Sequence, residues 1–218
     1  MARITKASIR SARRHLRASD PVMRAVIDAV GPFTLRLERD RFAMLVRSII
    51  SQQISTSAAR SIRRRLQEFV GPEGVKAANL AQFTVDQLRS VGLSPQKASY
   101  VADLANKVND GMVDLRQIGR LSDERVVEQL TQVKGIGRWT AQMFLIFSLG
   151  RLDVFPHDDL GVRTAIRNRY GLADLPDKQT AHAIAAPWRP YASVASWYCW
   201  RTLDLKRNAN KVTKGYPS

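Results

Sequence analysis

The chain carries, near its middle, the stretch Leu130-Thr-Gln-Val-Lys-Gly-Ile-Gly-Arg-Trp-Thr-Ala141, in which two glycines flank one apolar residue. Apolar residues at helical spacing precede and follow this glycine pair. They predict one helix that stops at Val133 and a second that starts at Arg138. Glycine suits the turn between them, because it accepts positive φ and, having no Cβ, lets another backbone come close.

A turn of this kind has a chemical consequence. The first N–H groups of the second helix have no acceptor inside the helix and carry partial positive charge, which makes them a seat for phosphate. Tight turns between antiparallel helices also occur without any ligand. The stretch alone therefore leaves two interpretations open, an ordinary interhelical turn and an anion contact.

Composition favours the second interpretation. The 218 residues include 35 Lys and Arg against 19 Asp and Glu, giving a net charge of +16 and a pI near 10.9. Such a surface attracts polyanions through counterion release, so nucleic acid is the first candidate partner and an anionic membrane face the second. A membrane-surface protein would need a concentrated amphipathic helix with basic flanks, and none stands out. A highly basic surface can also serve solubility alone. Between these alternatives we expect a nucleic-acid partner and no membrane partner.

The single cysteine, Cys199, excludes an internal disulfide and any four-cysteine zinc or iron–sulfur site. Basic residues interrupt the N-terminus, so it lacks the apolar core of a signal peptide, and no long apolar run follows. We expect an intracellular, reducing compartment.

Apolar spacing and capping residues predict an all-α protein of about ten helices, with no convincing strand. Helix starts are expected at Ser19-Asp-Pro21, at the capping box Thr84–Gln87, at Ser94-Pro95 and at Ser122. The basic residues 1–18 are either helical or a cover for a DNA-facing side.

A second informative stretch is Asp153-Val-Phe-Pro-His-Asp-Asp-Leu-Gly161. Its two adjacent aspartates are helix N-terminal carboxylates on the simplest interpretation. A carboxylate is also nearly all that cleavage of an N-glycosidic bond requires, because an anion stabilises the oxocarbenium-like sugar while water attacks. Such an enzyme first flips its target base into a pocket. Aromatic residues for such a pocket are Trp139, Trp188, Tyr191, Trp197, Tyr198 and Trp200, each of which could equally be core.

These motifs together resemble the helix-hairpin-helix DNA glycosylase superfamily, and residues 43–201 are similar in order and spacing to its 3-methyladenine DNA glycosylase II branch. The resemblance rests mainly on the hairpin 130–141 and the aspartate turn 154–161. Weaker matches are Ser48–Ser55, Val91–Ala98 and Trp188–Tyr198. The resemblance implies an all-α helix-hairpin-helix glycosylase fold, with two helical lobes and the active-site cleft between them. A single unit of residues 1–218 is expected, one lobe being 1–50 plus 165–218 and the other, with the hairpin, 51–164.

The resemblance also implies roles for individual residues. The catalytic carboxylate is Asp159, which directly precedes Leu-Gly, and Asp158 is left to cap the helix. The base pocket is expected from Trp139, Trp197, Met143, Leu160 and Tyr198, where Met143 and Leu160 replace tyrosines of some relatives. DNA contacts are expected from Lys134, Gly135, Gly137, Arg138, Thr140, Gln53, Leu93, Ser94 and Pro95. No cofactor is implied, beyond a monovalent cation, Na⁺ or K⁺, at the hairpin carbonyls of Val133 and Ile136.

The implied activity is that of a monofunctional glycosylase which excises alkylated purines from double-stranded DNA in base excision repair. Bifunctional relatives carry a Schiff-base lysine where this chain has Trp139, so no lyase activity is expected. We expect a monomer, associated with the nucleoid in the cytoplasm. The alternative is a non-catalytic, structure-specific DNA-binding protein built on the same hairpin.

Overall fold

The computed structural model describes residues 3–214, with side chains from 3 to 205, so residues 1, 2 and 215–218 of the expected 1–218 unit lie outside the described part. It contains twelve α-helices rather than about ten. They are α1 (Lys6–Ser19), α2 (Pro21–Val30), α3 (Arg41–Ser51), α4 (Thr56–Val70), α5 (Ala77–Leu80), α6 (Val85–Ser90), α7 (Pro95–Asn109), α8 (Asp123–Thr131), α9 (Arg138–Phe147), α10 (Leu160–Tyr170), α11 (Lys178–Ala185) and α12 (Ala192–Lys214). Short 3-10 segments span Gly71–Glu73, Ile118–Arg120 and Ala186–Trp188. The β pairing of the described residues is an isolated bridge between Arg3 and Arg151, so the all-α prediction is confirmed.

The expected helix starts are confirmed at each capping residue. Asp20 caps α2 by accepting the N–H groups of Val22 and Met23. Thr84 forms a capping box with its third helical residue, and Ser94 and Ser122 cap α7 and α8. The basic N-terminal segment is helical, because a capping box at Thr5 starts α1.

The chain divides into two compact units with boundaries that differ from the expected ones. Unit 1 comprises residues 1–36 and 150–218, and unit 2 comprises 37–149. The expected boundaries near 50 and 164 were wrong, because α3 packs on α4, α7 and α9 of unit 2. The segment after 150 belongs to unit 1 instead, since the N–H of Ser193 donates to the carbonyl of Leu152 at 3.0 Å.

Unit 1 packs α1, α2, α10 and α12 around a core that includes the fully buried side chains of Trp188 and Tyr198. A buried carboxylate, Asp20, accepts hydrogen bonds from the Tyr170 hydroxyl and, at 2.9 Å, from the Trp188 indole. Burial, together with this carboxylate, raises the pKa of Tyr170 far above its usual range. Asp20 is thus a structural hub that ties α2 to two distant segments of the same unit.

Unit 2 is organised around α7, which packs against α3, α5 and α6, while α8 packs against α9. Its core includes the buried side chains of Ile49, Leu104, Leu130 and Phe144. This packing places the hairpin between α8 and α9 beside α7. Within residues 3–214, no helix has both the length and the apolarity needed to cross a bilayer.

Candidate active site

The hairpin of unit 2 is a tight turn between the end of α8 at Thr131 and the start of α9 at Arg138. Gly135 has a φ of 78°, and a Cβ built on it would lie 2.0 Å from Cδ2 of Tyr100. Gly135 therefore has to be glycine for two independent reasons. Gly137 has an extended backbone, φ −92° and ψ 177°, and a Cβ there would meet nothing within 4 Å. The folded protein itself does not need glycine at 137.

The start of α9 has the features of an anion contact. Its N-cap is Gly137, and no side chain caps the first turn. Arg138 and Trp139 on this turn are exposed, whereas Thr140 is buried, with 4% of its surface accessible. α9 is ten residues long, and its first turn has no capping side chain and carries an exposed arginine. Such a helix N-terminus suits a phosphate group.

Lys134, which was expected at DNA, has a backbone N–H that is already engaged inside unit 2. Its N–H donates to Oδ2 of Asp103 at 2.8 Å, and the same oxygen accepts Nζ of Lys107 at 2.8 Å. Burial alone would raise the pKa of Asp103, but these hydrogen bonds and the two lysine charges hold it below its usual range. Only the exposed side chain of Lys134 remains for an anion, because its N–H is already bound.

The other segments of unit 2 expected at DNA are only partly exposed. Gln53 is exposed and has a φ of 54°, the one positive φ outside glycine among residues 3–214. Ser94 and Pro95 are also exposed, at the start of α7. Leu93, however, is buried with 4% of its surface accessible. The expectation that Leu93 contacts DNA is therefore wrong for this conformation, in which it is a core residue of unit 2.

In unit 1, the side chain of Asp159 is fixed at the start of α10. Oδ1 accepts the N–H of Val162 at 2.8 Å and Nε1–H of Trp200 at 2.8 Å, and the residue is 8% exposed. Asp159 is thus the N-cap of α10. The capping role expected for Asp158 was wrong, because that side chain is 67% exposed and contacts Nε2 of His157 at 3.2 Å.

Trp200 was only one of six aromatic candidates in the sequence, and its contact with Asp159 was not predicted. Its indole reaches Asp159 because Gly161 leaves room, since a Cβ at 161 would lie 2.9 Å from Cδ1 of Trp200 and 3.1 Å from Oδ1 of Asp159. The glycine in Asp-Leu-Gly was the one signal that pointed to this contact. Nothing in the sequence indicated which aromatic residue of α12 would occupy that room.

The expected pocket residues fall into two groups. Leu160 and Trp139 are exposed, at 65% and 44% of their surfaces. The other three are buried, among them Met143 and Trp197, and Trp197 packs on Phe33 with ring centroids 4.4 Å apart. Tyr198 is fully buried, and its hydroxyl donates to the carbonyl of Gly31 at 3.0 Å. The pocket role expected for Tyr198 was therefore wrong, because its ring has no surface to offer a ligand.

Side chains of the described residues form no group of three or more His, Cys, Asp and Glu that could hold a metal ion. At the hairpin, the carbonyl of Val133 already accepts the N–H of Ile136 at 3.1 Å. A carbonyl oxygen has two lone pairs, so this hydrogen bond leaves one for a further partner.

The sequence and fold of this chain are similar to those of known DNA repair proteins. Residues 46–190 match the model of the HhH-GPD superfamily of base excision DNA repair proteins. The chain belongs to the HhH-GPD superfamily. It is 32% identical over 212 residues to DNA-3-methyladenine glycosylase 1 of Schizosaccharomyces pombe, covering 93% of this chain and 89% of that one.

Two solved structures are similar along most of their length. The S. pombe 3-methyladenine DNA glycosylase Mag1, in complex with abasic DNA, matches with a TM-score of 0.81 and 30% identity, over 89% of this chain and 97% of that one. A DNA-3-methyladenine glycosidase from Bacillus halodurans matches with a TM-score of 0.80 and 32% identity, over 94% and 92% of the two chains. The all-α helix-hairpin-helix glycosylase fold is thereby established.

Three of the seven large apolar side chains that are exposed among the described residues of this HhH-GPD protein lie in these segments. Ile54 follows Gln53, Trp139 lies in the first turn of α9, and Leu160 follows Asp159, and all three are more than a third exposed. Single apolar side chains are common on protein surfaces, so the interest of these three lies in the polar functional groups beside them. Each candidate segment thus combines a polar or charged contact with an adjacent apolar one.

Proposed function

We propose that this HhH-GPD protein is a monofunctional DNA glycosylase, of the 3-methyladenine DNA glycosylase II type, which hydrolyses the N-glycosidic bond of alkylated purines in double-stranded DNA. Its substrates would include 3-methyladenine and 7-methylguanine, and its product an abasic site. The observation that supports this most is the carboxylate of Asp159, immobilised through Oδ1 by Val162 and Trp200 at the start of α10.

Asp159 would act by electrostatic stabilisation. As the base departs, the sugar acquires oxocarbenium character, and a carboxylate already held in place lowers the energy of that cation without reorganisation. Asp159 is the N-cap of α10, so its side chain lies at the positive end of the helix dipole. Water then adds to the sugar carbon that the base has left.

Binding would depend on the hairpin and on exposed apolar side chains. The start of α9, with Gly137, Arg138 and the backbone of Thr140, would hold a DNA phosphate. Trp139 would offer its exposed indole to the extruded base, where a cationic alkylated purine gains a cation–π contact. Gln53 would occupy the space that the base leaves.

The hairpin carbonyls suit a monovalent cation. Those of Val133 and Ile136 are hard, neutral oxygen ligands of the kind that bind Na⁺ or K⁺. Such an ion would add positive charge next to the phosphate that α9 holds. The side chains of residues 3–205 form no group of three or more His, Cys, Asp and Glu that could bind a metal ion. An ion at the hairpin would therefore depend on backbone oxygens.

Trp139 also bears on the reaction class. A lyase needs an amine that forms an imine with the opened sugar, and the hairpin position in question carries an indole. We expect base release without strand cleavage, and no covalent complex with abasic DNA after borohydride treatment. The proposed substrate places the protein wherever the cell keeps its genomic DNA.

The decisive experiment is a base-release assay on a panel of methylated, deaminated and etheno purines in duplex DNA. Asp159→Asn should lower single-turnover release by about 10²–10³-fold. Asp158→Asn is the matched control and should retain release, because its side chain is solvent-exposed. Release by Asp159→Asn at the wild-type rate would disprove the carboxylate mechanism. If the wild-type protein binds duplex DNA but releases no base, it is instead a non-catalytic DNA-binding protein.

A further inference from the structure

The turn that follows α3 has a backbone that does not suit its residues. Gln52 has φ −59° and ψ 129°, and Gln53 follows with φ 54°. These angles are typical of a type II turn, whose third position is normally glycine or asparagine. A glutamine in this position is strained, and the conformation persists only where neighbouring groups hold it.

Lys97 of α7 is the neighbouring group that holds this conformation. Its Nζ donates to the carbonyl of Ile50 at 2.8 Å and to the carbonyl of Gln52 at 2.6 Å. The Gln52 carbonyl belongs to the peptide unit that joins Gln52 to Gln53. The ammonium group therefore orients that peptide plane, and the plane sets the φ of Gln53.

The ammonium also compensates the end of α3, where the last carbonyls lack partners inside the helix. It is partly withdrawn from water to do so, and this burial lowers the pKa of Lys97. A partly buried ammonium that bonds two backbone oxygens is an unusual way to end a helix, which suggests that the turn it holds has a function.

The same helix supports the hairpin within unit 2. Asp103 accepts the N–H of Lys134, and Lys107 donates to the carbonyl of Gln132 at 2.7 Å. The side-chain amide of Gln52 donates to the carbonyl of Gly135 at 2.8 Å, which joins the turn directly to the hairpin. One face of α7 thus holds both segments of unit 2 that we assign to DNA.

We propose that Lys97 is a positioning residue that holds Gln53 in its left-handed conformation, so that the Gln53 side chain can replace an extruded base. This proposal rests on the proposed function. Lys97 itself does not contact the reacting atoms. Loss of Lys97 should slow base release from a correctly paired lesion, whose extrusion costs more free energy. It should have little effect on a mismatched lesion, because mismatched bases unpair more readily.

The test compares Lys97→Met, Lys97→Arg and the matched charge control Lys76→Met, whose exposed ammonium lies 3.7 Å from Glu73 of the same unit. Single-turnover release of 7-methylguanine is measured opposite cytosine and opposite adenine. Lys97→Met should be slower by about tenfold or more on the paired lesion and within about twofold of wild type on the mismatched one. Lys97→Arg should recover most of the paired rate, and Lys76→Met should match wild type. Equal losses on both duplexes, or no loss, would overturn the proposal.

A double-mutant cycle shows whether Lys97 acts through Gln53. Gln53→Gly relaxes the strained backbone and removes the side chain, so adding Lys97→Met should cause no further loss on the paired lesion. Multiplying losses would show an independent role and contradict the proposal. Should Lys97→Met not fold, Lys97→Gln, which keeps one donor group, is measured against the same criteria.

Amide hydrogen exchange of residues 52–54 in the free protein provides a readout that needs no activity. Exchange there should accelerate in Lys97→Met and stay at the wild-type rate in Lys76→Met. Unchanged protection in Lys97→Met would refute the positioning role. If the wild-type protein releases no methylated base, the proposed function fails, while the exchange rates still decide whether Lys97 holds the turn.

Discussion

Nε1 of Trp200 donates a hydrogen bond to Oδ1 of Asp159 at 2.8 Å, although 41 positions separate the two residues in the chain. The same oxygen accepts the N–H of Val162, so two donors from different helices fix the carboxylate. A carboxylate held in this way needs little reorganisation when positive charge develops on a bound sugar. Trp200 thus orients the group on which the proposed chemistry depends.

Replacing Trp200 by phenylalanine tests whether the hydrogen bond from the indole orients the Asp159 carboxylate. A smaller aromatic ring remains, but the hydrogen bond to Asp159 is lost, and a hydrogen bond to a charged group contributes about 1.5–3 kcal/mol. We expect single-turnover base release to fall about tenfold or more, with a smaller change in DNA affinity. Trp188→Phe is the control, since it removes the bond to Asp20 and should reduce stability in urea rather than the rate. Equal rates for Trp200→Phe and wild type would show that Val162 alone suffices.

The two hairpin glycines should respond differently to alanine. Gly135→Ala combines positive φ with a Cβ 2.0 Å from Tyr100, so we expect a loss of about 1–3 kcal/mol in the free energy of unfolding. Gly137→Ala meets no neighbouring atom and should change that free energy by less than about 0.5 kcal/mol. It should nevertheless weaken duplex binding, because the added methyl group occupies the approach of a phosphate. Urea unfolding and DNA titration of both variants measure the two effects, and unimpaired binding by Gly137→Ala would place the phosphate elsewhere.

Asp103 should make the hairpin sensitive to acid. Its pKa is lower in the folded protein than in the unfolded chain, where it is about 3.9. The carboxylate therefore stabilises the fold fully above about pH 5, and this contribution disappears as pH falls through the folded pKa. The difference in unfolding free energy between wild type and Asp103→Asn should shrink below about pH 4. Asp86→Asn, which removes an exposed ion pair, should differ little from wild type throughout.

Cys199 should report on unfolding. Burial, with the nearby charges of Asp20 and Asp159, raises the pKa of this thiol to about 12, so almost no reactive thiolate exists at neutral pH. Iodoacetamide at pH 8 should label the folded protein slowly, at a rate that increases with urea in parallel with loss of helical circular dichroism. Rapid labelling without urea would show that α12 opens locally.

Salt provides a check on the charge of +16. Affinity for undamaged duplex should fall steeply with ionic strength, log K decreasing by about 0.9 per phosphate neutralised for each unit of log salt concentration. Arg138→Gln at the start of α9 should reduce that slope by about 0.9 if its side chain neutralises one phosphate. An unchanged slope would mean that Arg138 does not contact the DNA backbone.

Features that depend on neighbours in the chain could be predicted from the sequence. The starts of α2, α6, α7 and α8, and the turn between α8 and α9, follow from caps and glycines that act within a few residues. The all-α class follows from the apolar period in the same way. The hairpin and the Asp-Leu-Gly turn are therefore recognisable from the order of their residues alone.

Features that depend on packing could not be predicted. Which aromatic residue of α12 binds Asp159, which carboxylate occupies the N–H of Lys134, and whether Leu93 and Tyr198 are exposed all depend on how distant helices meet. The unit boundaries at 36 and 149 have the same origin. The sequence by itself determined the all-α class, these helix starts and the two candidate turns, because their contacts are local. Only the tertiary structure decided which side chains orient those turns, because those contacts join helices that are remote in the chain.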